Sequence, residues 1–259
     1  MGAFMWDPGK YRSFGDERSR PFFDLIGRID AEKPRRVVDL GCGPGHLSSA
    51  LTARWPGARL EAFDSSPDMV AAARELGIDA EVRSAQDWQP APDTDVVVAN
   101  AVLQWVPTHV ALLPQWVAAL PDDAWLALQV PGNFEAPSHL AIRELAARDE
   151  WRPRLESTGI LQPRDVLDPE GYASVLTEAG CAVDAWETTY LQRLTGTDPV
   201  LEWVTGTALR PVRSALDDTE WSRFTAELAP MLREAYPRRT DGTTWLPFRR
   251  VFAVAHKAG

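Results

Sequence analysis

The sequence predicts an α/β protein, a doubly wound, Rossmann-like parallel sheet whose helical insertions form a lid over the active site. Three observations carry that expectation. Through the first 130 residues, short apolar runs rich in β-branched residues alternate with segments of helical periodicity. The first run, "RVVDL" at 36–40, leads into a turn with glycine at every second position, Gly41, Gly43 and Gly45. After Val130 the alternation stops, and mostly helical stretches are broken by two further strand-like runs.

Each element follows in order. "GHLSSALTARW" (45–55) sets Leu47, Leu51 and the aliphatic stem of Arg54 at helical spacing, and "ARLEAFD" (58–64) reads as the second strand. "SPDMVAAARELG" (66–77) is a helix with Pro67 in its first turn, followed by a third strand at 78–83. "TDVVVAN" (94–100) is apolar enough to be buried on both faces. A helix around 109–120, kinked at Pro114, precedes a fifth strand at 124–130. Strands alternating with helices of about ten residues make βαβ units, so residues 1–130 form the cofactor-binding core. Residues 131–165 are a first helical lid segment. Residues 166–195 return to the core as a helix, stopped at Gly180, and a long strand. Residues 196–240 are a second lid segment interrupted by Pro211 and Pro230, and residues 241–259 close the core with a strand at 245–257. A ligand of such a sheet sits beyond the C-terminal strand ends, where strand order reverses. Loops 41–45, 64–69, 84–88 and 100–105 should therefore converge.

Composition narrows the function. A chain of 259 residues suits one sizeable domain, or a core with an accessory lobe, and 45% hydrophobic with 25% charged residues is ordinary for a globular protein. Eleven tryptophans suggest an aromatic core or pocket lining. A net charge of −10 without any basic run argues against nucleic acid. The whole acidic excess lies before Gly196, so the last quarter is relatively basic. Cys42 and Cys181 cannot make a disulfide framework, and four scattered histidines give no case for a metal. With no long apolar run and no secretory leader, a cytoplasmic protein that does not enter membranes is expected.

The glycine turn selects among nucleotide-like ligands. A dinucleotide site of the form G-x-G-x-x-G would place its third glycine at His46, but the glycine stands at Gly45; no Gly-Lys-Ser/Thr follows for a P-loop. The pattern D-x-G-x-G-x-G, from Asp39 through Gly41, Cys42, Gly43 and Gly45, resembles the first motif of the S-adenosylmethionine-dependent methyltransferases. The resemblance implies that Asp39 helps hold the cofactor's amino group and that the open turn receives its amino-acid end. Asp64 closes the second strand, 23 positions beyond Gly41, where a carboxylate can accept from both ribose hydroxyls. Ser65 and Met69 would neighbour ribose and adenine. Asp87 stands where the family reads the adenine amino group, flanked by Gln86 and Trp88. Asn100 and Ala101 would border the cofactor, with Gln104 and Trp105 toward the methyl-transfer centre.

A closer resemblance spans nearly the whole chain. "WDPGKYRSFGDERSRP" (6–21), "ANAVLQWVPTHVALLPQW" (99–116), "QVPGNFEAPSHLAIRELA" (129–146), "WVTGTALRP" (203–211) and "PFRRVFAVA" (247–255) are similar to the trans-aconitate 2-methyltransferase family. Thr108 stands where an acidic residue is expected, and "RRTDGTTW" before the last strand is individual. The implied reaction moves the sulfonium methyl to a carboxylate of trans-aconitate. It gives the monomethyl ester and S-adenosylhomocysteine. An acceptor with pKa of about 4 is already ionised at neutral pH, so positioning and water exclusion replace a general base. The other carboxylates need cations, and arginine's planar fork suits them. Arg210 in "TALRP" is the first candidate, with Arg249 or Arg250, which alternate on a strand; His139, Tyr190 and Trp105 are further acceptor contacts. Arg18, Arg20 and Tyr11 of the N-terminal segment are candidates for cofactor or substrate. Methyl transfer to another small acid or a natural product remains open. So do a nicotinamide oxidoreductase, against which the glycine spacing counts, and a cofactor-binding regulator without turnover.

Overall fold

A computed structural model of the chain describes residues 19–162 and 166–259. Among these residues seven strands form one sheet in the order β3-β2-β1-β4-β5-β7-β6. Strands β1 (Arg36–Leu40), β2 (Arg59–Asp64), β3 (Ala80–Val82), β4 (Thr94–Asn100) and β5 (Trp125–Pro131) are parallel. β6 is Cys181–Leu194, and β7 (Thr244–Lys257) runs antiparallel to β5, with Trp125 opposite His256 and Pro131 opposite Arg250. The five strands of the first 131 residues are parallel, as their alternation with helices predicts, and β7 makes the sheet as a whole mixed. Parallel pairing follows from crossover helices between consecutive strands, and β7 does not follow β5 by such a crossover. Strand order reverses between β1 and β4.

The helices are α1 (Arg20–Ile26), α2 (Ser48–Arg54), α3 (Pro67–Glu75), α4 (His109–Ala119), α5 (Pro137–Ala146), α6 (Arg152–Leu155), α7 (Pro169–Glu178), α8 (Pro199–Thr205), α9 (Arg210–Ala215) and α10 (Asp218–Ala235). Among the described residues no helix is long and apolar enough to cross a membrane. α2 begins three residues later than the apolar spacing suggested. Gly45 has φ +80°, a left-handed conformation that cannot belong to a right-handed helix.

The chain divides into two compact units, Met1–Pro131 with Asp165–Thr188 and Arg250–Gly259, and Gly132–Arg164 with Thr189–Arg249. In the first, Val38 and Leu40 of β1, Val97 of β4 and Leu128 of β5 share a core with Trp116 of α4 and Leu176 of α7. α7 is tied to α4 by a buried pair. The Tyr172 hydroxyl and His109 Nε2 hydrogen-bond at 2.8 Å, and His109 Nδ1 lies 2.9 Å from the Val106 carbonyl. A carbonyl only accepts, so the Nδ1 proton is donated to Val106.

In the second unit, Ile142 and Leu145 of α5 share a core with Phe224, Leu228 and Leu232 of α10, and Trp151 meets Phe224 edge-on at 5.2 Å. Asp217 and Glu220 cap α10 reciprocally. Pro211 opens α9, a tolerated place, but Pro230 lies inside α10 without ending it. The expected interruption is absent because buried residues on both sides of Pro230 hold the helix across it. An internal proline costs about 3 kcal/mol relative to alanine. Pro230 is exposed, so Pro230→Ala should raise the thermal midpoint of the full chain, and a lowered midpoint in a calorimetric scan would refute this account.

Candidate functional site

The site begins where β1 ends. Gly41 (φ +78°), Gly43 (φ +55°) and Gly45 (φ +80°) all adopt left-handed backbone, which side-chain-bearing residues seldom tolerate. The N–H groups of Gly41 and Cys42 donate to the Phe63 carbonyl at 3.0 and 2.9 Å, pinning the turn to β2. Two of the glycines are also sterically required. A Cβ on Gly41 would lie 2.4 Å from Val102 Cγ2, and one on Gly45 would lie 2.8 Å from Ala73 Cβ of α3. Gly43 differs: a Cβ there would meet nothing within 4 Å. The middle of the turn thus presents bare backbone to open space, a surface that a ligand can approach closely.

Two carboxylates flank this turn. Asp64, the last residue of β2, accepts from Gly43 N at 3.0 Å and Ser66 N at 2.9 Å, one bond to each oxygen. Each oxygen keeps lone-pair capacity for a further donor such as a ribose hydroxyl. Asp39 is 4% exposed, and Ser48 Oγ donates to its Oδ2 at 2.6 Å. Burial raises the Asp39 carboxyl to about 6, Ser48 pulls it down, and the neighbouring Asp64 charge adds to the rise. Burial, with both carboxylates, pushes the Cys42 thiol up to about 12, so it stays protonated and is no nucleophile at neutral pH. Among the described residues neither Asp39 nor Asp64 forms an ion pair.

The remaining loops fall into place unevenly. Ser65 is exposed; Met69, half-buried in α3, donates its N–H to Ser66 Oγ at 3.4 Å. Gln86 and Asp87 are exposed on a short 3-10 turn, and Gln86 Nε2 donates to Thr108 Oγ1 at 3.2 Å. Trp88 corrects the sequence reading. Its side chain is wholly buried, edge-on to Trp116 at 5.5 Å, with Nε1–H donating to Glu61 at 3.1 Å, so it is core and does not flank an adenine. Its apolar ring finds more area to bury under the sheet than in a loop.

At the end of β4, Ala101 holds φ +56°, a strained conformation for alanine, with its N–H bonded to the Gln129 carbonyl at 2.8 Å. Asn100 accepts at Oδ1 from Gln129 Nε2 at 2.9 Å. Gln104 donates to the Ala101 carbonyl at 2.5 Å, while its buried Oε1 has no hydrogen-bond partner among the described residues. A buried acceptor left open in this loop suits a ligand donor. Trp105 is 53% exposed. Gln129, Val102 and Ser48 were not singled out in the sequence. Gln129 had a signal, a lone amide inside the apolar strand "WLALQV", which demands a partner when buried.

The expected acceptor contacts stand on several elements. His139 in α5 is half-buried, edge-on to Phe134 at 5.6 Å, and Tyr190 is 3% exposed, leaving almost no surface for a ligand. Arg210 is exposed at the start of α9. Arg249 donates to the Gly132 carbonyl at 3.0 Å; Arg250, half-buried, stands opposite Pro131 in the sheet. Arg20 is exposed in α1, while Tyr11 and Arg18 lie outside the described residues.

A glycine turn with two unpaired carboxylates at the reversal point of a doubly wound sheet defines a nucleoside-type cofactor site. A family profile described as "Methyltransferase domain" matches residues 11–185. The trans-aconitate 2-methyltransferase of Rhodococcus jostii (strain RHA1) is 61% identical over 251 residues, covering 97% of this chain and 99% of that protein. The one of Mycobacterium tuberculosis (strain ATCC 25177 / H37Ra) is 54% identical over 255 residues, covering 98% of each. The chain belongs to the trans-aconitate 2-methyltransferase family of methyltransferases. Among solved structures, the YcgJ protein of Bacillus subtilis superposes with TM-score 0.57 at 14% identity, over 94% of this chain and 100% of its own. A phosphoethanolamine N-methyltransferase of Haemonchus contortus, solved with S-adenosyl-L-methionine, gives 0.54 at 14%, over 93% and 53%. At such identities these two speak for the fold alone.

Two outcomes follow from the geometry. Gly41→Ala should fail to fold stably, because its Cβ collides with Val102. Gly43→Ala should fold with only the strain of its backbone, about 1 kcal/mol, yet lose cofactor affinity. Urea unfolding and calorimetric titration with S-adenosylmethionine separate the two, and equal stability losses would contradict the steric argument. Asp39→Asn should behave in the opposite sense. The raised folded-state pKa means that stability is held below the unfolded value and lost as pH rises through about 6. The asparagine variant should therefore be the more stable protein at pH 8, by on the order of 2–3 kcal/mol. The difference should vanish near pH 4 in pH-dependent denaturation curves.

Proposed function

We propose that the protein is an S-adenosylmethionine-dependent O-methyltransferase that esterifies a carboxylate of trans-aconitate. The observation that carries this is identity of 54–61% over nearly the full length of relatives bearing that activity in their name. S-Adenosylmethionine supplies an electrophilic methyl group on a sulfonium centre. The residues present fit it: bare backbone at Gly43, a carboxylate without an ion partner at Asp39 for an ammonium group, a second at Asp64 with open lone pairs for hydroxyls, and an open buried acceptor at Gln104. In this reading Asp39 takes the cofactor's amino group and Asp64 its ribose hydroxyls. Asp87 and Gln86 lie toward the adenine.

A carboxylate acceptor, ionised at neutral pH, asks no base of the protein. What it asks is alignment with the methyl group and exclusion of water, which compete with the solvation of a trianion. Guanidinium groups of the helical insertions, Arg210 first among them, are read as answering the charge of the acceptor's other carboxylates. Gripping the reacting carboxylate itself would reduce its nucleophilicity.

The test is methyl transfer from radiolabelled cofactor to trans-aconitate, cis-aconitate, citrate and isocitrate. Ester is expected with trans-aconitate at the highest kcat/KM, and no ester from any of the four would remove the substrate assignment. Asp64→Ala should weaken cofactor binding by tenfold or more, as expected for a lost charge-assisted contact. Arg210→Ala should raise the acceptor KM with little change in cofactor affinity. Parallel losses of both affinities in the Arg210 variant would reject that division of roles.

A further inference from the structure

Ser48 is a buried polar residue for which neither the helix nor the core has a need. It is 0% exposed, at the first position of α2, yet the helix N-cap is Leu47 and makes no side-chain cap bond. Serine is a poor helix former, and alanine would pack there without burying a hydroxyl. The Ser48 hydroxyl reaches across the glycine turn to Asp39, nine residues earlier, at 2.6 Å. Asp39 sits in the middle of the sheet, between Ala62 of β2 and Val98 of β4. A charge-capable pair is thus kept in an apolar strand end, where two apolar side chains would be more stable.

The groups acting on the Asp39 carboxylate among the described residues are Ser48 and the Asp64 carboxylate. The two carboxylates lie on either side of one turn, and neither is ion-paired among the described residues. The site is short of positive charge, and a cationic ligand is what completes it.

We propose that Ser48 is a positioning residue for cofactor binding: its hydroxyl fixes Oδ2 of Asp39, leaving Oδ1 as the acceptor for the primary ammonium of the cofactor's amino-acid end. This rests on the reading that the turn binds S-adenosylmethionine. A carboxylate free to rotate would divide its time between orientations and pay for ordering on binding; one already bonded does not. The same bond stabilises the charged carboxylate over the acid, opposing the effect of burial. Ser48 therefore acts at the pH where Asp39 would otherwise take up a proton, and cofactor binding below that pH must release one.

The experiment is calorimetric titration of the full chain with S-adenosylmethionine from pH 5.5 to 8.5. The wild type should bind with nearly constant affinity above pH 7 and lose affinity toward pH 5.5, with proton release detectable by changing the buffer's ionisation enthalpy. Ser48→Ala should weaken binding at pH 7 by about tenfold. It should also move the acid limb to higher pH, and Ser48→Thr should restore both. Asp39→Asn should remove the acid limb, and adding Ser48→Ala to it should change affinity no further. A Ser48→Ala protein with lower thermal stability but an unshifted pH profile would overturn the proposal and leave Ser48 a packing residue. Should that variant not fold, Ser48→Cys takes its place in the same titration and in the cycle with Asp39→Asn: a weakened, right-shifted profile supports the proposal and an unshifted one overturns it. A wild type that does not bind S-adenosylmethionine at any pH would instead overturn the reading of the cofactor.

Discussion

At the end of β1 the backbone must leave the sheet, turn within five residues and enter α2 while keeping one stretch of its main chain uncovered. Three left-handed glycines do this, and each is constrained by something different. Gly41 makes room for Val102 of the β4 loop, Gly45 for Ala73 of α3, and Gly43 for no protein atom at all. Two N–H bonds to Phe63 hold the whole turn against β2. The packing of α3, the position of the β4 loop and the open face of the site are therefore settled by one short sterically exact segment. A spacing of two residues between glycines, where a dinucleotide turn uses three before the last, is what aligns these contacts.

Charge is handled in opposite ways at the two ends of the strands. Near the start of β1, Arg36 pairs with Asp93 and Glu61 and Arg35 with Asp95, and Arg83, just past β3, reaches back to Glu61. Burial would raise the Glu61 carboxyl, but Arg36, Trp88 and Arg83 outweigh it and hold the group below the usual range. That carboxylate is neutralised within the fold and serves structure. At the other end, Asp39 is raised by burial and answered by a hydroxyl alone, with Asp64 adding repulsion. The first end is finished by folding; the second carries an electrostatic debt that a cationic cofactor is suited to settle.

The expectations that missed did so for the same kind of reason. Trp88 follows the third strand in sequence, as an adenine neighbour would, but its ring turns inward to Trp116 and Glu61. Loop membership is legible from the strand pattern, whereas side-chain direction within a loop depends on which buried area is within reach. Pro230 similarly reads as a helix break by local rules, and the buried residues of α10 override it. β7 reads correctly as a strand, but nothing local in "WLPFRRVFAVAHK" says that its neighbour is β5 or that the pairing is antiparallel.

By itself the sequence determined the order of elements in the sheet core, the glycine turn at its first strand end and the carboxylates Asp39 and Asp64. These depend on periodicity, φ requirements and residue chemistry within a few positions of one another. The family, too, was legible, because its motifs are spread along the whole chain. Only the tertiary structure decided which glycine faces open space, that Ser48 bonds Asp39, that Gln129 holds Asn100, and that Trp88 belongs to the core. Those are facts about atoms from different elements meeting at three or four ångströms, and neither periodicity nor spacing encodes a distance between segments that the chain brings together only by folding.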